Sequence, residues 1–470
     1  MVSVNHCQPN HLAALFLALL AATPAAAQQL PPPRPNPAYT RAVAAGYKAA
    51  MLCSAILNAR AMGADRSRAS VEANELKGIY AEYDSLVGGM PAEILADRVL
   101  VRFDEKMPPR VAVSSGFGGC TNLPIGTPPT APAPARFPRP APAPAAARWP
   151  VADSAIPAAS APEFDVLLDG AFGRRYGAGG NTTAVVIVRD GRIVAERYAP
   201  GYDPLTPQRT WSVAKSIAGT LAGMAAKRGL LVAKAPAPVP EWRAPGDPRG
   251  KLTLDNLLRM ASGLHSDTAG NRTDAVYFGG TAVTEETVAW PLEVAPGTRF
   301  RYANNDILLA MRGLRARLIA SKTGDIRYPE QWLFAPLGMR HTIAERDWRG
   351  NFVLSSQVWA SARDLARLGM FWMDDGVWNG QRLLPAGWMQ YMTAPSGPQP
   401  EGSPGYGATM WLFGPKFGLP AGSFAAQGNR GQLVMVVPSR RLVIVRRGED
   451  PAGATFDVPR FTADILKAIE

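Results

Sequence analysis

Trp211-Ser212-Val213-Ala214-Lys215-Ser216-Ile217-Ala218-Gly219 is the stretch on which the fold turns, and it holds the only Ser-x-x-Lys of the chain. Residues three apart on a helix share a face, so the Ser212 hydroxyl and the Lys215 amine are expected side by side. A free serine is a poor nucleophile at neutral pH, and an adjacent neutral amine can take its proton. The small and apolar neighbours Val213, Ala214, Ile217 and Ala218 predict a buried helix, and burial lowers a lysine pKa toward what a base needs. An unperturbed lysine is neutral in only about one molecule in two thousand at pH 7, and a downward shift of ~3 units makes about half of it neutral. Four residues with two fixed also arise by chance in long chains, so the motif gains its weight from what surrounds it.

Histidine is scarce. The chain holds His6, His11, His265 and His341. The first two fall in a leader-like segment, and the other two sit in the turn-like Ser262-Gly263-Leu264-His265 and in Leu337-Gly338-Met339-Arg340-His341-Thr342. No Gly-x-Ser-x-Gly elbow surrounds a serine. A serine enzyme built on lysine and tyrosine therefore fits better than a Ser-His-Asp triad.

Two later segments supply the rest of such a site. Pro296-Gly297-Thr298-Arg299-Phe300-Arg301-Tyr302-Ala303-Asn304-Asn305 precedes an apolar helix expected over Ile307 to Ala320, with Asn304 or Asn305 as its N-cap. A cap plus a core tyrosine is the plain reading. Chemically, the Tyr302 phenol can relay a proton, and the Asn304 amide can hold a lysine head and a substrate carbonyl together. Further on, Phe424-Ala425-Ala426-Gln427-Gly428-Asn429-Arg430-Gly431-Gln432 leads into Leu433–Val437, a turn at Pro438-Ser439-Arg440-Arg441, and a return over Leu442–Arg446. This predicts an antiparallel hairpin entered through a glycine-rich segment, and glycine lets a ligand lie close to a strand.

Taken in order, these elements resemble the penicillin-recognising serine hydrolases, which comprise class C β-lactamases, serine DD-peptidases, related carboxylesterases and 6-aminohexanoate-dimer hydrolases. Their signature runs Ser-x-x-Lys, Tyr-x-Asn, then a Lys/His-Thr-Gly-like triplet on an edge strand. Further matches are Met260-Ala261-Ser262-Gly263-Leu264, Pro336-Leu337-Gly338-Met339, Ala362-Arg363-Asp364-Leu365-Ala366-Arg367-Leu368-Gly369 and Asp375-Gly376-Val377-Trp378-Asn379-Gly380. The resemblance runs from about residue 160 to the C-terminus. Trp-Ser-x-x-Lys-Ser and Gly428-x-x-Gly431-Gln432 lean toward the aminohexanoate-dimer hydrolase type. It implies an α+β, DD-peptidase/β-lactamase-like fold, with an antiparallel sheet flanked by helices and an all-helical subdomain.

It also implies roles. Ser212 is the nucleophile, Lys215 and Tyr302 are the general base and the proton relay in either order, and the backbone N–H groups of Ser212 and Asn429 form the oxyanion hole. Asn304, Gln427 and Gly428 face the substrate. The chain departs from the pattern at the triplet, which is Ala426-Gln427-Gly428; the literal Lys322-Thr323-Gly324 reads instead as a helix C-terminus. Ala426 cannot face a substrate carboxylate, although the nearby Arg430 offers a partial substitute. An ester or a linear amide is favoured over a β-lactam or a peptidoglycan peptide. A non-catalytic binding protein on a hydrolase scaffold is a third class, against which the joint presence of Ser212, Lys215 and Tyr302 argues.

The remainder sets the context. Leu12–Ala22 is a short apolar core, followed by Ala25-x-Ala27 before Gln28, as in a signal peptide over residues 1–27. No Lys or Arg precedes that core, and the segment is short for a membrane span. Export, to the periplasm, is the expectation. The remaining Cys53 and Cys120 then form an even pair suited to a disulfide. Residues 28–122 read as a small N-terminal helical region without evident chemistry, with helices expected over Ala38–Ala61 and Glu72–Leu86. Residues 123–150, rich in Pro and Ala, read as an extended linker unable to pack a core. Residues 151–470 form the hydrolase domain, opening on a hairpin (Thr182–Arg189, Asp190-Gly191, Arg192–Tyr198) and closing on a helix, Val458–Ile469. The formal charge is +12 with a pI near 9.8. No basic run interleaved with aromatics, metal-spaced Cys/His cluster or phosphate loop appears, so no nucleic acid, metal or cofactor is expected.

Overall fold

The Asp190-Gly191 turn sets the central sheet. Both residues lie in the left-handed region, at φ 49° and 76°, the geometry that lets a two-residue turn match strand twist. Thr182–Arg189 and Arg192–Tyr198 therefore pair antiparallel. A computed structural model describes residues 36–144, 147–153, 162–266, 273–321, 327–402 and 404–469. The expected signal peptide and Lys322-Thr323-Gly324 lie outside the described residues.

The sheet has seven strands in the spatial order Gly405–Tyr406, Trp411–Leu412, Phe424–Gly428, Gln432–Val437, Leu442–Gly448, Thr182–Arg189, Arg192–Tyr198. Leu442–Gly448 pairs with Thr182–Arg189, so strands from both ends of the hydrolase region meet at its centre. Alternation along each strand sends side chains to opposite faces. Val186, Val188, Val434 and Val443 pack with the helices Val213–Lys227 and Ala362–Met373. Val185, Ile187, Met435 and Ile444 pack on the other face with Pro162–Phe172 and the C-terminal helix Val458–Ala468. At Gly369 an added Cβ would sit 2.4 Å from Val443, so glycine is what lets that helix lie flat on the sheet. A helical subdomain built around Leu254–Leu258 and Asn304–Ala320 completes the α+β architecture.

The N-terminal region holds more than helices. Pro37–Leu52, Cys53–Leu57 and Asn58–Met62 form one continuous helix, closed by Gly63 at φ 83°. It is long and apolar enough to cross a membrane, but its apolar window is buried inside the protein, as a core helix is. The single helix expected over Glu72–Leu86 is two, Arg68–Asn74 and Ala81–Val87. Gly78, at φ 75°, breaks the run, because the left-handed conformation ends helices. A four-stranded antiparallel sheet follows, Ala92–Ile94, Arg98–Val101, Arg110–Ser114 and Cys120–Asn122. Cys53 and Cys120 are joined by a disulfide, Cα–Cα 6.0 Å.

This region shares its core with the hydrolase fold: Tyr47, Leu52 and Val99 pack in one cluster with Phe278, Leu308 and Trp359. Buried Glu345 accepts from Asn58 Nδ2, Cys120 N and Trp359 Nε1 at 3.0, 3.0 and 3.1 Å. The Pro/Ala-rich segment also packs, contrary to expectation. Phe137 is buried in the main core, and Trp149 donates to Gly191 O at 3.0 Å beneath the Arg367 guanidinium. Two large aromatic side chains overcome the extended bias of their neighbours, because each buries more apolar area than proline and alanine can.

Candidate active site

Ser212 sits at a sharp chain reversal. Gln208–Arg209 pairs with Val358–Ala360, Thr210 N donates to Val358 O at 2.7 Å, and Trp211 adopts φ 51°. A bulky residue in that region is strained, and here the Arg209 guanidinium lies 3.8 Å from the Trp211 ring centroid and holds it. Ser212 caps the helix Val213–Lys227, which is buried from Val213 through Ala225.

One turn on, Lys215 is 1% exposed. Its ammonium reaches Ser212 Oγ at 2.9 Å, Asn304 Oδ1 at 2.6 Å and the Ser355 carbonyl at 2.8 Å. None of these partners is charged. Burial, aided by the nearby Arg209 cation, lowers its pKa to about 7. A neutral amine donates two hydrogens and keeps one lone pair. Asn304 and Ser355 are fixed acceptors, so the lone pair is left for the Ser212 hydroxyl.

Tyr302 lines the same cleft wall as Ser212, its ring centroid 5.0 Å from Lys215 Nζ, and burial raises its phenol above the ordinary value. Its ring stacks on Trp411 at 5.5 Å and meets Tyr406 edge-on. The helix after it spans Asn304–Ala320, one turn longer than expected, and its N-cap is Ala303. Neither asparagine caps it. Asn304 is turned to Lys215 and to Thr273 Oγ1 (3.1 Å), and Asn305 donates to His265 O at 3.2 Å. The Asn304 amide serves the site and the Asn305 amide ties down the His265 segment, so neither serves the helix end.

Phe424–Gly428 forms the opposite side. Its first two residues pair with Trp411–Leu412, whereas Ala426, Gln427 and Gly428 pair only with Gln432–Val437. Their free edge borders the cleft. A Cβ placed on Gly428 would lie 2.4 Å from Thr210 O and 3.0 Å from Ser212 N. Only glycine allows this strand end to press against the Ser212 peptide, and Asn429 follows at once. Ala426 is fully buried. Arg430 does not substitute for a triplet lysine: its guanidinium is bound to Glu449 and to the carbonyls of Asn74, Lys77, Glu449 and Asp450. The left-handed turn at Arg430 (φ 58°) carries its side chain away from the cleft.

These residues line a cleft of about 510 Å³, with Ser212, Tyr302, Asn304, Gln427, Gly428 and Asn429 in its wall. Lys215 lies beneath it. Sequence reading missed Ile79, Tyr80, Tyr277, Ser356 and Trp411, which complete the lining. It also missed Arg209 and Ser355. None stands in a repeating pattern or motif, and only Arg209 sits next to one. No charged side chain lines the cleft among the described residues. His265 bonds Glu293 and stacks on Trp290 outside it, and His341 N is held by Asp364.

A family model described as Beta-lactamase matches residues 171–447. The 6-aminohexanoate-dimer hydrolase of Paenarthrobacter ureafaciens is 29% identical over 303 residues, covering 57% of this chain and 73% of that protein. Among solved structures, a penicillin-binding protein homolog from Caulobacter crescentus superposes with a TM-score of 0.53 at 16% identity, covering 67% of this chain and 100% of that one. A family VIII carboxylesterase superposes with a TM-score of 0.52 at 17% identity, covering 66% of this chain and 98% of that one. At these identities the two structures establish the fold.

Proposed function

The chain belongs to the beta-lactamase family, and we propose that within this family of serine hydrolases it cleaves an uncharged ester or linear amide through an acyl-enzyme on Ser212. The observation that carries the reading is the Lys215 amine, buried among neutral partners with Nζ 2.9 Å from Ser212 Oγ. Lys215 takes the Ser212 proton as Oγ attacks the carbonyl carbon. The oxyanion is received by the backbone N–H groups of Ser212 and Asn429, since aimed donors act where charge develops. Tyr302, its phenol kept protonated by burial, passes a proton to the leaving group and is reprotonated from Lys215, which returns to the neutral amine. Water then hydrolyses the acyl-enzyme, with Lys215 again as base.

The substrate class follows from the lining. With Ala426 buried and Arg430 bound elsewhere, no cation lines the cleft among the described residues to receive a β-lactam carboxylate. Neutral esters and amides need none. The relative named for hydrolysing the 6-aminohexanoate dimer supports a linear amide. The Cys53–Cys120 bond supports export to an oxidising compartment; recovery of the mature protein from a periplasmic extract, with residues 1–27 absent by mass, tests that part. The chemistry is tested by intact mass during turnover of p-nitrophenyl acetate. A nitrophenol burst with a 1:1 acetyl adduct, both lost in Ser212→Ala, is expected. Adduct formation with penicillin but not with the ester would move the reading to β-lactams, and equal behaviour of both proteins would leave a binding scaffold.

A further inference from the structure

We propose that the N-terminal region is a working wall of the catalytic cleft, in which Ile79 and Tyr80 set the size of the substrate group accepted at that end. The inference rests on the serine-hydrolase reading of the cleft and goes beyond it, since residues 36–122 lie outside the family match at 171–447.

Ile79 and Tyr80 line the same cleft as Ser212, together with Tyr277 and Trp211. The segment that carries them is tied on two sides. On the sheet side, Arg430 donates to Asn74 O and Lys77 O, and Ala452 N donates to Gly78 O at 2.8 Å. Arg430 directly follows Asn429, so the wall and the proposed oxyanion turn share one anchor. On the core side, the Tyr80 ring meets Tyr47 edge-on at 5.1 Å and lies 5.6 Å from both Tyr83 and Phe278. Gly78 N is held by Asp84 Oδ2 at 2.8 Å. A loop fixed in this way is a wall rather than a lid.

Its chemistry defines what it faces. Ile79, Tyr80 and Tyr277 present aliphatic and aromatic surface, with no charged side chain beside them in the lining among the described residues. The cleft volume of about 510 Å³ suits one small-molecule substrate. The group bound at this end is therefore neutral, apolar and compact, and a branched or bicyclic group meets Tyr80. Apolar walls discriminate by size at about ten- to two-hundredfold per excluded group.

The test compares wild type, Ile79→Ala and Tyr80→Ala on two series: p-nitrophenyl acetate, butyrate and 2-naphthoate, and acetate esters of small and bicyclic alcohols. Active sites are counted by the Ser212 acetyl adduct. Ile79→Ala is the milder truncation, because Tyr80 also packs in the aromatic cluster. In at least one series the kcat/KM ratio of bulkiest to smallest ester is expected to rise about tenfold or more, chiefly through KM. Ratios within about twofold of wild type in both series, with Ser212 still labelled, would overturn the wall. If wild type forms no Ser212 adduct with any ester, the hydrolase reading fails, and the wall falls with its premise.

Discussion

Two buried cations stand beside this cleft, and their surroundings differ. Lys215, 1% exposed, meets a hydroxyl, an amide oxygen and a carbonyl. Arg430, 5% exposed, meets the Glu449 carboxylate and four backbone carbonyls. A buried charge without a counter-charge is driven toward neutrality, and this suits Lys215 to the base role proposed for it. A buried charge with a counter-charge and satisfied hydrogens becomes a fixed tie, and Arg430 joins the strand end, the Glu449 segment and the N-terminal wall. The same burial thus yields chemistry at one site and architecture at the other.

Substitutions can break this contrast. Lys215→Ala should lower kcat by about 10⁴-fold, the upper range for a lost general base, with the urea midpoint far less affected; steady-state kinetics beside denaturation checks it. Arg430→Met should do the reverse. Leaving Glu449 buried and unpaired is expected to reduce the unfolding free energy by about 3–5 kcal/mol, while the folded fraction still acylates at Ser212. An unchanged urea midpoint would mean that Glu449 finds another partner.

Gly428→Ala probes the point where the two sides touch. The added methyl meets Thr210 O and Ser212 N, so the strand end must move off the oxyanion position. A fall in kcat of about a hundredfold is expected, with KM for a small ester nearly unchanged. The smallest effect is in pH. Lys215 titrates near 7 and works only when deprotonated, so kcat/KM should rise with pH through about 7 and then level off. A limb lying well above 9 would instead assign the base to Tyr302, whose phenol burial raises.

Much of the site was legible in the chain. Ser212 and Lys215 are fixed relative to each other by helix geometry alone, and Tyr302 and Asn304 by a turn entering a helix. The hairpins at Asp190-Gly191 and at Pro438–Arg441 announced themselves by turn chemistry. Less legible was anything joined across long separations. The N-cap expected at Asn304 or Asn305 failed because capping is a local inference, while Lys215 Nζ, 89 positions away, takes the Asn304 amide, as its chemistry had suggested. Arg430 was placed near the triplet correctly in sequence, but its backbone at φ 58° and its partners at Asn74 and Lys77 decide where it points.

The N-terminal region marks the same limit. Its first helix followed from apolar spacing, yet its sheet, its shared core and its share of the cleft did not. The sequence by itself determined the family, the proposed nucleophile and the order of the candidate site elements, because these depend on short-range spacing and residue chemistry. Only the tertiary structure decided that Lys215 is buried without a counter-charge, that Gly428 abuts the Ser212 peptide, and that Ile79 and Tyr80 line the same cleft as Ser212. Burial and long-range contact are properties of the packed chain, and no local pattern encodes them.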